Sequence, residues 1–284
     1  MQVADMLSWA QERLQGAGID QARREAEILL AACVGWARAR VIAHRDATLS
    51  EQQIRRFEGW VRRRAQREPL AYITRRAWFY GLELTIGRGV LIPRPETELL
   101  VALFLRWAAD IKEELPTFAD AGVGSGAIAI ACLVNAPRWL GVGIDRSRRA
   151  LRVAQVNRRQ RGLATRLMLV QGDWLSALRP RSVNAVLSNP PYVLPDEWDA
   201  LQPEITRYEP RRALLVPADD PLLPYRRIAQ DALRVLRRPS LLAFETSPRL
   251  APLLTEQLPR WGFAHPQVVC DYSGAARVVY VAQQ

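Results

Sequence analysis

The sequence predicts an α/β fold: a doubly wound, mostly parallel sheet preceded by a small helical bundle. Three observations lead there. From about residue 117, short apolar runs alternate with amphipathic segments. Residues 1 to about 72 show only the three- and four-residue spacing of helices. Gly, Asp and Asn stand where several of the apolar runs stop, as at the carboxyl ends of strands in such a sheet. A chain of 284 residues accommodates one large α/β domain and a smaller companion. The expected division is a helical domain over 1–72, a hairpin linker over 73–92 and the α/β domain over 93–284.

Taken in order, Val3, Met6, Leu7, Ala10 and Leu14 form one helical face, ended by Gly16 and Gly18. Asp20 is placed to cap a second helix carrying Ala22, Ala26, Leu29, Leu30 and Cys33. Ser50 and Gln53 make a capping-box pattern before a helix through Ile54, Phe57 and Val61. Arg62-Arg63-Arg64 near its end suits the helix dipole and reads as a solvated face. Residues 78–86 alternate and are aromatic-rich, which predicts a strand or hairpin with Gly81 at the bend. Pro93 and Pro95 stiffen the loop before a helix that starts near Thr97 or Glu98. Strands follow at 118–120, 140–145, 167–170, 183–187 and 240–245, separated by helices at 127–133, 148–160 and 222–236. Residues 250–258 read as helix. The segments 268–270 and 277–281 read as a terminal antiparallel pair.

The formal net charge is +11, and Lys112 is the only lysine. Arginine grips phosphate well, so direct nucleic-acid binding is an open partner class. It is not favoured, because arginine bias also follows from genome composition. Cys33, Cys132 and Cys270 lie far apart, and His44 and His265 are isolated. That pattern predicts no metal site and no disulfide framework, and fits a reducing cytoplasm. No run has the apolar length of a membrane span, and the start of the chain lacks the pattern of a signal peptide.

The chemistry concentrates at the strand ends. Asn189-Pro190-Pro191-Tyr192 follows the apolar run 185–188. The prolines fix φ, donate no hydrogen bond and still accept at their carbonyls. With the Asn189 side chain and the flat Tyr192 ring they make a rigid holder for a planar group bearing –NH2. Asp120 opens a glycine-rich turn of Gly122, Val123, Gly124, Ser125 and Gly126, whose glycines let a ligand approach the backbone. Asp145, about twenty residues on, is placed to bind two ribose hydroxyls. Trp174 can stack on an adenine, and Asp173 can accept from its amine. Asp120 suits a positively charged ligand group. Together these features point to S-adenosylmethionine as cofactor.

At this level the sequence resembles the class I, Rossmann-like methyltransferases. More closely it resembles the HemK/PrmC family, the protein-(glutamine-N5) methyltransferases of peptide chain release factors. The resemblance spans the chain. It rests on Phe79-Tyr80-Gly81-Leu82, Leu91 through Glu98 (Leu-Ile-Pro-Arg-Pro-Glu-Thr-Glu), Gly124 through Ala129, Gly172-Asp173-Trp174, Ser188 through Tyr192, and Tyr208-Glu209-Pro210-Arg211. Glu245-Thr246-Ser247 stands where that family has Glu-Ile-Gly. The resemblance implies methylation of the glutamine in the release-factor Gly-Gly-Gln motif, with Gly122 to Gly126, Asp145, Trp174 and Asn189 contacting the cofactor, Asn189 to Tyr192 holding the glutamine, and Asn189, Pro190 and Tyr192 catalytic. Two other readings accompany it. One is an adenine-N6 or guanine-N2 methyltransferase of DNA or RNA, which would need an unstacked base. The other is a non-catalytic ribosome-associated binding protein with the same fold.

Overall fold

The computed structural model describes residues 1–283. Five helices come first: α1 (Val3–Gly16), α2 (Ala22–Val34), α3 (Arg38–Ala43), α4 (Glu51–Ala65) and α5 (Leu70–Thr74). A hairpin of β1 (Arg76–Phe79) and β2 (Leu82–Thr85) follows, then α6 (Glu98–Ala109). The chain continues through β3 (Thr117–Ala121), α7 (Ala127–Asn135), β4 (Leu140–Asp145), α8 (Arg148–Gln160), β5 (Leu167–Gln171) and β6 (Val183–Ser188). It ends with α9 (Pro203–Tyr208), α10 (Leu223–Val235), β7 (Leu236–Glu245), α11 (Ala251–Arg260), β8 (Gln267–Cys270) and β9 (Ala276–Gln283). Two units emerge. One comprises Met1–Arg76 with Gln202–Tyr208, the other Ala77–Leu201 with the chain from Glu209 onward.

In the helical unit, the five apolar residues of α1 picked out by spacing are all buried. They meet Leu29 and Leu30 of α2 and Phe57 and Val61 of α4. Burying each large side chain contributes about 1.5–3 kcal/mol. Ser50 Oγ accepts from Gln53 N at 3.3 Å, and Gln53 Oε1 accepts from Ser50 N at 2.9 Å, so the capping box forms. Asp20 does not cap α2; Gln21 takes that position without a side-chain bond. The Arg62–Arg64 run is not simply a solvated face. Arg63 holds Glu68 through two bonds at 2.9 and 2.7 Å. Arg64 is buried between Glu25 at 2.5 Å and Glu204 at 2.9 Å, and Arg67 also reaches Glu204 at 2.8 Å. These ion pairs draw α9 into the helical unit, although its sequence lies far along the chain.

In the α/β unit the strand order is β5-β4-β3-β6-β7-β9-β8. β3, β4, β5, β6 and β7 pair in parallel. β9 runs antiparallel to both β7 and β8. The expected terminal pair therefore forms, with β9 inserted beside β7. All six residues of β6 are buried, which is why it reads as an apolar run. Its one amide, Asn184, is satisfied by accepting from Thr117 N and Arg237 Nε, each at 3.2 Å. The order turns back between β3 and β6. A crevice opens there at the carboxyl ends of the strands. Among the described residues, no helix is long and apolar enough to cross a membrane.

Removing Arg64 would take from Glu25 its cation and leave Glu204 with Arg67 alone. Arg64→Ala is expected to destabilise the helical unit by roughly 3 kcal/mol, read as a lower urea midpoint of the whole chain. A change under about 0.5 kcal/mol would show that the ion pairs contribute as weakly as exposed ones.

Candidate active site

The glycine turn follows β3. Gly122 N and Val123 N both donate to the Ile144 carbonyl at 2.9 Å, which folds the turn over the end of β4. Gly122 has φ +85°, and a Cβ there would stand 3.7 Å from the Trp174 ring. Gly126 has the same φ at the start of α7, and a Cβ would press to 2.9 Å from Ile130. Only glycine meets both demands at Gly126. The turn is also tied from outside. The buried Asn157 of α8 donates to the Ser125 carbonyl at 2.9 Å and exchanges two bonds with the Thr85 backbone, at 2.7 and 2.9 Å.

Asp145 ends β4. Its Oδ2 accepts from Gly124 N at 3.0 Å and its Oδ1 from Ser147 N at 2.8 Å. Each oxygen keeps lone-pair capacity for a further donor. Burial pushes this carboxyl up, against those two N–H groups and the Arg146 and Arg212 cations. Asp173 and Trp174 follow β5. Trp174 adopts φ +50°, a rare conformation for an aromatic residue. Asp173 Oδ2 accepts from Arg227 at 2.6 Å. Gly122 to Ser125, Asp145, Asp173, Trp174 and Asn189 to Pro191 all line one cleft. Leu91, Pro93, Thr97 and Arg212 line it as well. The sequence reading did not assign these four to the site. The proline-stiffened loop was the signal for three of them; Arg212 had none beyond its place next to Arg211.

Three predicted site residues lie outside the cleft lining: Gly126, which faces Ile130 and Ala154 at the start of α7, Asp120 and Tyr192. Asp120 is fully buried and does not line the cleft. Its Oδ2 accepts from Ala129 N at 3.1 Å, so it points inward to the first turn of α7, and Oδ1 has no partner among the described residues. Burial is the main reason its carboxyl is pushed up to about 7. Tyr192 also lies outside the cleft lining. Its backbone N bonds the Leu214 carbonyl at 3.1 Å, its ring packs on the core under β7, and its hydroxyl donates to Glu245 Oε1 at 3.1 Å. Tyr192 is half-buried and braces the loop through this bond.

The holder itself is well anchored. Ser188 Oγ donates to the Ala121 carbonyl at 2.5 Å, locking the end of β6 to the end of β3. Asn189 Nδ2 donates to Thr97 Oγ1 at 3.1 Å, which uses one of its two N–H groups and leaves its oxygen available as an acceptor. The Thr97 loop is fixed in turn by buried Glu209, which accepts from Arg94 at 2.5 Å and from Ile92 N at 3.1 Å. Glu98 accepts from Tyr80 N at 2.7 Å at the turn of the hairpin.

A seven-stranded sheet with one reversed strand, carrying a glycine turn and an acid at the ends of adjacent strands, defines a class I methyltransferase that uses S-adenosylmethionine. Comparison with known proteins agrees. The PrmC N-terminal domain family matches residues 5–74 and the methyltransferase small domain family matches residues 98–204. A release factor glutamine methyltransferase of Caulobacter vibrioides is 37% identical over 95% of this chain and 92% of its own length. One of Cereibacter sphaeroides is 37% identical over 98% of each chain. The chain belongs to the release factor glutamine methyltransferase family. The solved human methyltransferase 10 domain containing protein superposes with TM-score 0.50 at 19% identity, covering 72% of this chain and 89% of that one, a likeness of fold alone.

The raised Asp120 carboxyl has a consequence for stability. The folded state holds its proton up to about pH 7, whereas the unfolded chain loses it near the ordinary value of 3.8. This contribution is fully present below that value and is lost as pH rises toward 7. Asp120→Asn is expected to flatten the stability difference between pH 5 and pH 8, measured as urea midpoints. An unchanged difference would show that Asp120 ionises normally.

Proposed function

We propose that the protein transfers the methyl group of S-adenosylmethionine to the side-chain nitrogen of a glutamine, in the Gly-Gly-Gln motif of a peptide chain release factor. The observation that carries this reading is the Asn189 amide. Its NH2 end donates to Thr97, and its oxygen is the acceptor it offers to a ligand in the cleft. The Pro190 carbonyl beside it is a second acceptor on a backbone that proline stiffens. A primary carboxamide offers two hydrogens, and this pair of acceptors matches them.

The cleft residues fit the cofactor. Trp174 lines the cleft beside Gly122, and its ring offers an apolar face on which an adenine can stack. Asp145 has one lone-pair direction left on each oxygen for two ribose hydroxyls. Gly122 and Gly124 allow close backbone approach, and Asp173 also lines the cleft. When bound, S-adenosylmethionine supplies an electrophilic methyl on a sulfonium.

The protein's own task is orientation. A carboxamide nitrogen is a weak nucleophile because its lone pair is delocalised into the carbonyl. Asn189 Oδ1 and the Pro190 carbonyl accept its two hydrogens, hold its face toward the cleft and favour the charge that builds on nitrogen. No strong base is needed, since the proton leaves after transfer. Tyr192 acts by keeping the loop in place. The helical unit is the reading for where the protein substrate is recognised, and the setting is cytoplasmic.

Asn189→Ala is expected to abolish turnover while calorimetry shows cofactor binding retained. Labelled methyl transfer to a release factor, run against bulk RNA and DNA, is expected to mark the release factor only. Label on nucleic acid alone would replace this reading with the base-methylating one, and a chain that binds no cofactor would contradict it altogether.

A further inference from the structure

The face that α8 buries consists of Ala150, Ala154 and Asn157. A helix held only by apolar contact would carry an aliphatic residue at the third place, since a buried amide costs free energy unless it is bonded. Asn157 is 1% exposed, and its oxygen and its NH2 are both engaged. The oxygen accepts from Thr85 N at 2.7 Å. Nδ2 donates to the Thr85 carbonyl and to the Ser125 carbonyl, each at 2.9 Å. The two bonds to Thr85 copy the exchange that a neighbouring strand would make. They fasten α8 to the end of the hairpin, and that task needs no third bond. The third bond enters the glycine turn, 32 residues away in the chain.

The Ser125 carbonyl is open to that bond because the N–H four residues on, at Ala129, goes to Asp120 at 3.1 Å. Three side chains thus hold the turn. Asp145 takes Gly124 N, Asn157 takes the Ser125 carbonyl, and Asp120 takes Ala129 N. Helix α8 lies close against the turn, since a Cβ at Gly126 would stand 3.4 Å from Ala154. Gly124 and Ser125 line the cleft. The hairpin is tied at its bend as well. Tyr80 N donates to Glu98 at 2.7 Å, and the adjoining Thr97 accepts from Asn189. One hairpin therefore joins the glycine turn, at Thr85, to the loop behind Asn189, at Tyr80.

We propose that Asn157 is a positioning residue for the cofactor: it fixes the Ser125 peptide of the glycine turn and fastens the turn to the hairpin, so that cofactor bound at the turn steadies the hairpin. The proposal rests on reading the cleft as the cofactor site. Coupling of this kind is reciprocal. If the cofactor tightens the hairpin through Asn157, loss of the Asn157 bonds weakens the cofactor by the same route. Asn157 does this without touching the ligand, since it lies outside the cleft lining.

The test is amide hydrogen exchange of the whole chain with and without S-adenosylhomocysteine, joined to calorimetry on Asn157→Leu and Asn157→Asp. In the unsubstituted chain the ligand is expected to slow exchange at 122–126 and also at the Thr85 amide, by about threefold or more. Asn157→Leu removes all three bonds at similar volume. It is expected to raise the ligand Kd about tenfold or more, and the ligand is expected to slow the turn but no longer the hairpin. Asn157→Asp keeps an acceptor for Thr85 N and loses the donated bonds, so its Kd is expected to rise as well. Slowing confined to 122–126 in the unsubstituted chain would overturn the link to the hairpin, whether or not either variant folds. A Kd within about twofold of the unsubstituted chain in either variant would overturn the positioning of Ser125. A ligand that slows none of the 122–126 amides would instead remove the reading of the cleft as the cofactor site.

Discussion

The exit of the chain from β6 as Asn189-Pro190-Pro191 is the constraint on which the site depends. Two fixed φ angles leave the segment few shapes, and β6 gives it a firm base. That strand is buried along its whole length between β3 and β7. Ser188 closes the base by bonding the last carbonyl of β3. The holder and the glycine turn are therefore two ends of one strand pair. Their spacing is set by the sheet register, which pairs Asp120 with Leu187, and not by loops that could drift.

Around that pair, three acids with related chemistry have different tasks because their surroundings differ. Asp145 is shared between two backbone N–H groups and the open cleft. Asp120 is wholly inside and anchors the first turn of α7. Glu245 is inside too, but under the proline loop. Burial is the largest influence on each of the three, and it is the partners that separate their roles. A buried carboxyl without full hydrogen bonding costs free energy. Asp120 and Glu245 each keep one oxygen with no partner among the described residues.

Much of this was legible in the sequence because it is local. The α1 face, the Ser50–Gln53 box, β4, α8 and the bend at Gly81 all follow from spacing or turn chemistry. The cleft residues could be grouped because strand ends in a parallel sheet share one edge. What the sequence hid was long-range or directional. Nothing near Glu204 announces that Arg64 and Arg67 hold it to the helical unit. The directions of Asp120 and Tyr192 depend on Ala129 and Glu245, which no periodicity connects to them. Thr97 looked like a helix start, and its bond to Asn189 spans 92 residues. α3 and α5 are too short to show a period.

The central claim is that a glutamine amide is held by two acceptors on a proline-stiffened strand end. A crystal structure with S-adenosylhomocysteine and a Gly-Gly-Gln peptide measures this directly. The account predicts the glutamine nitrogen at about 2.7–3.2 Å from both Asn189 Oδ1 and the Pro190 carbonyl, with the Asn189 NH2 still on Thr97. A glutamine bound away from Asn189, or an Asn189 amide donating to it, would contradict the account.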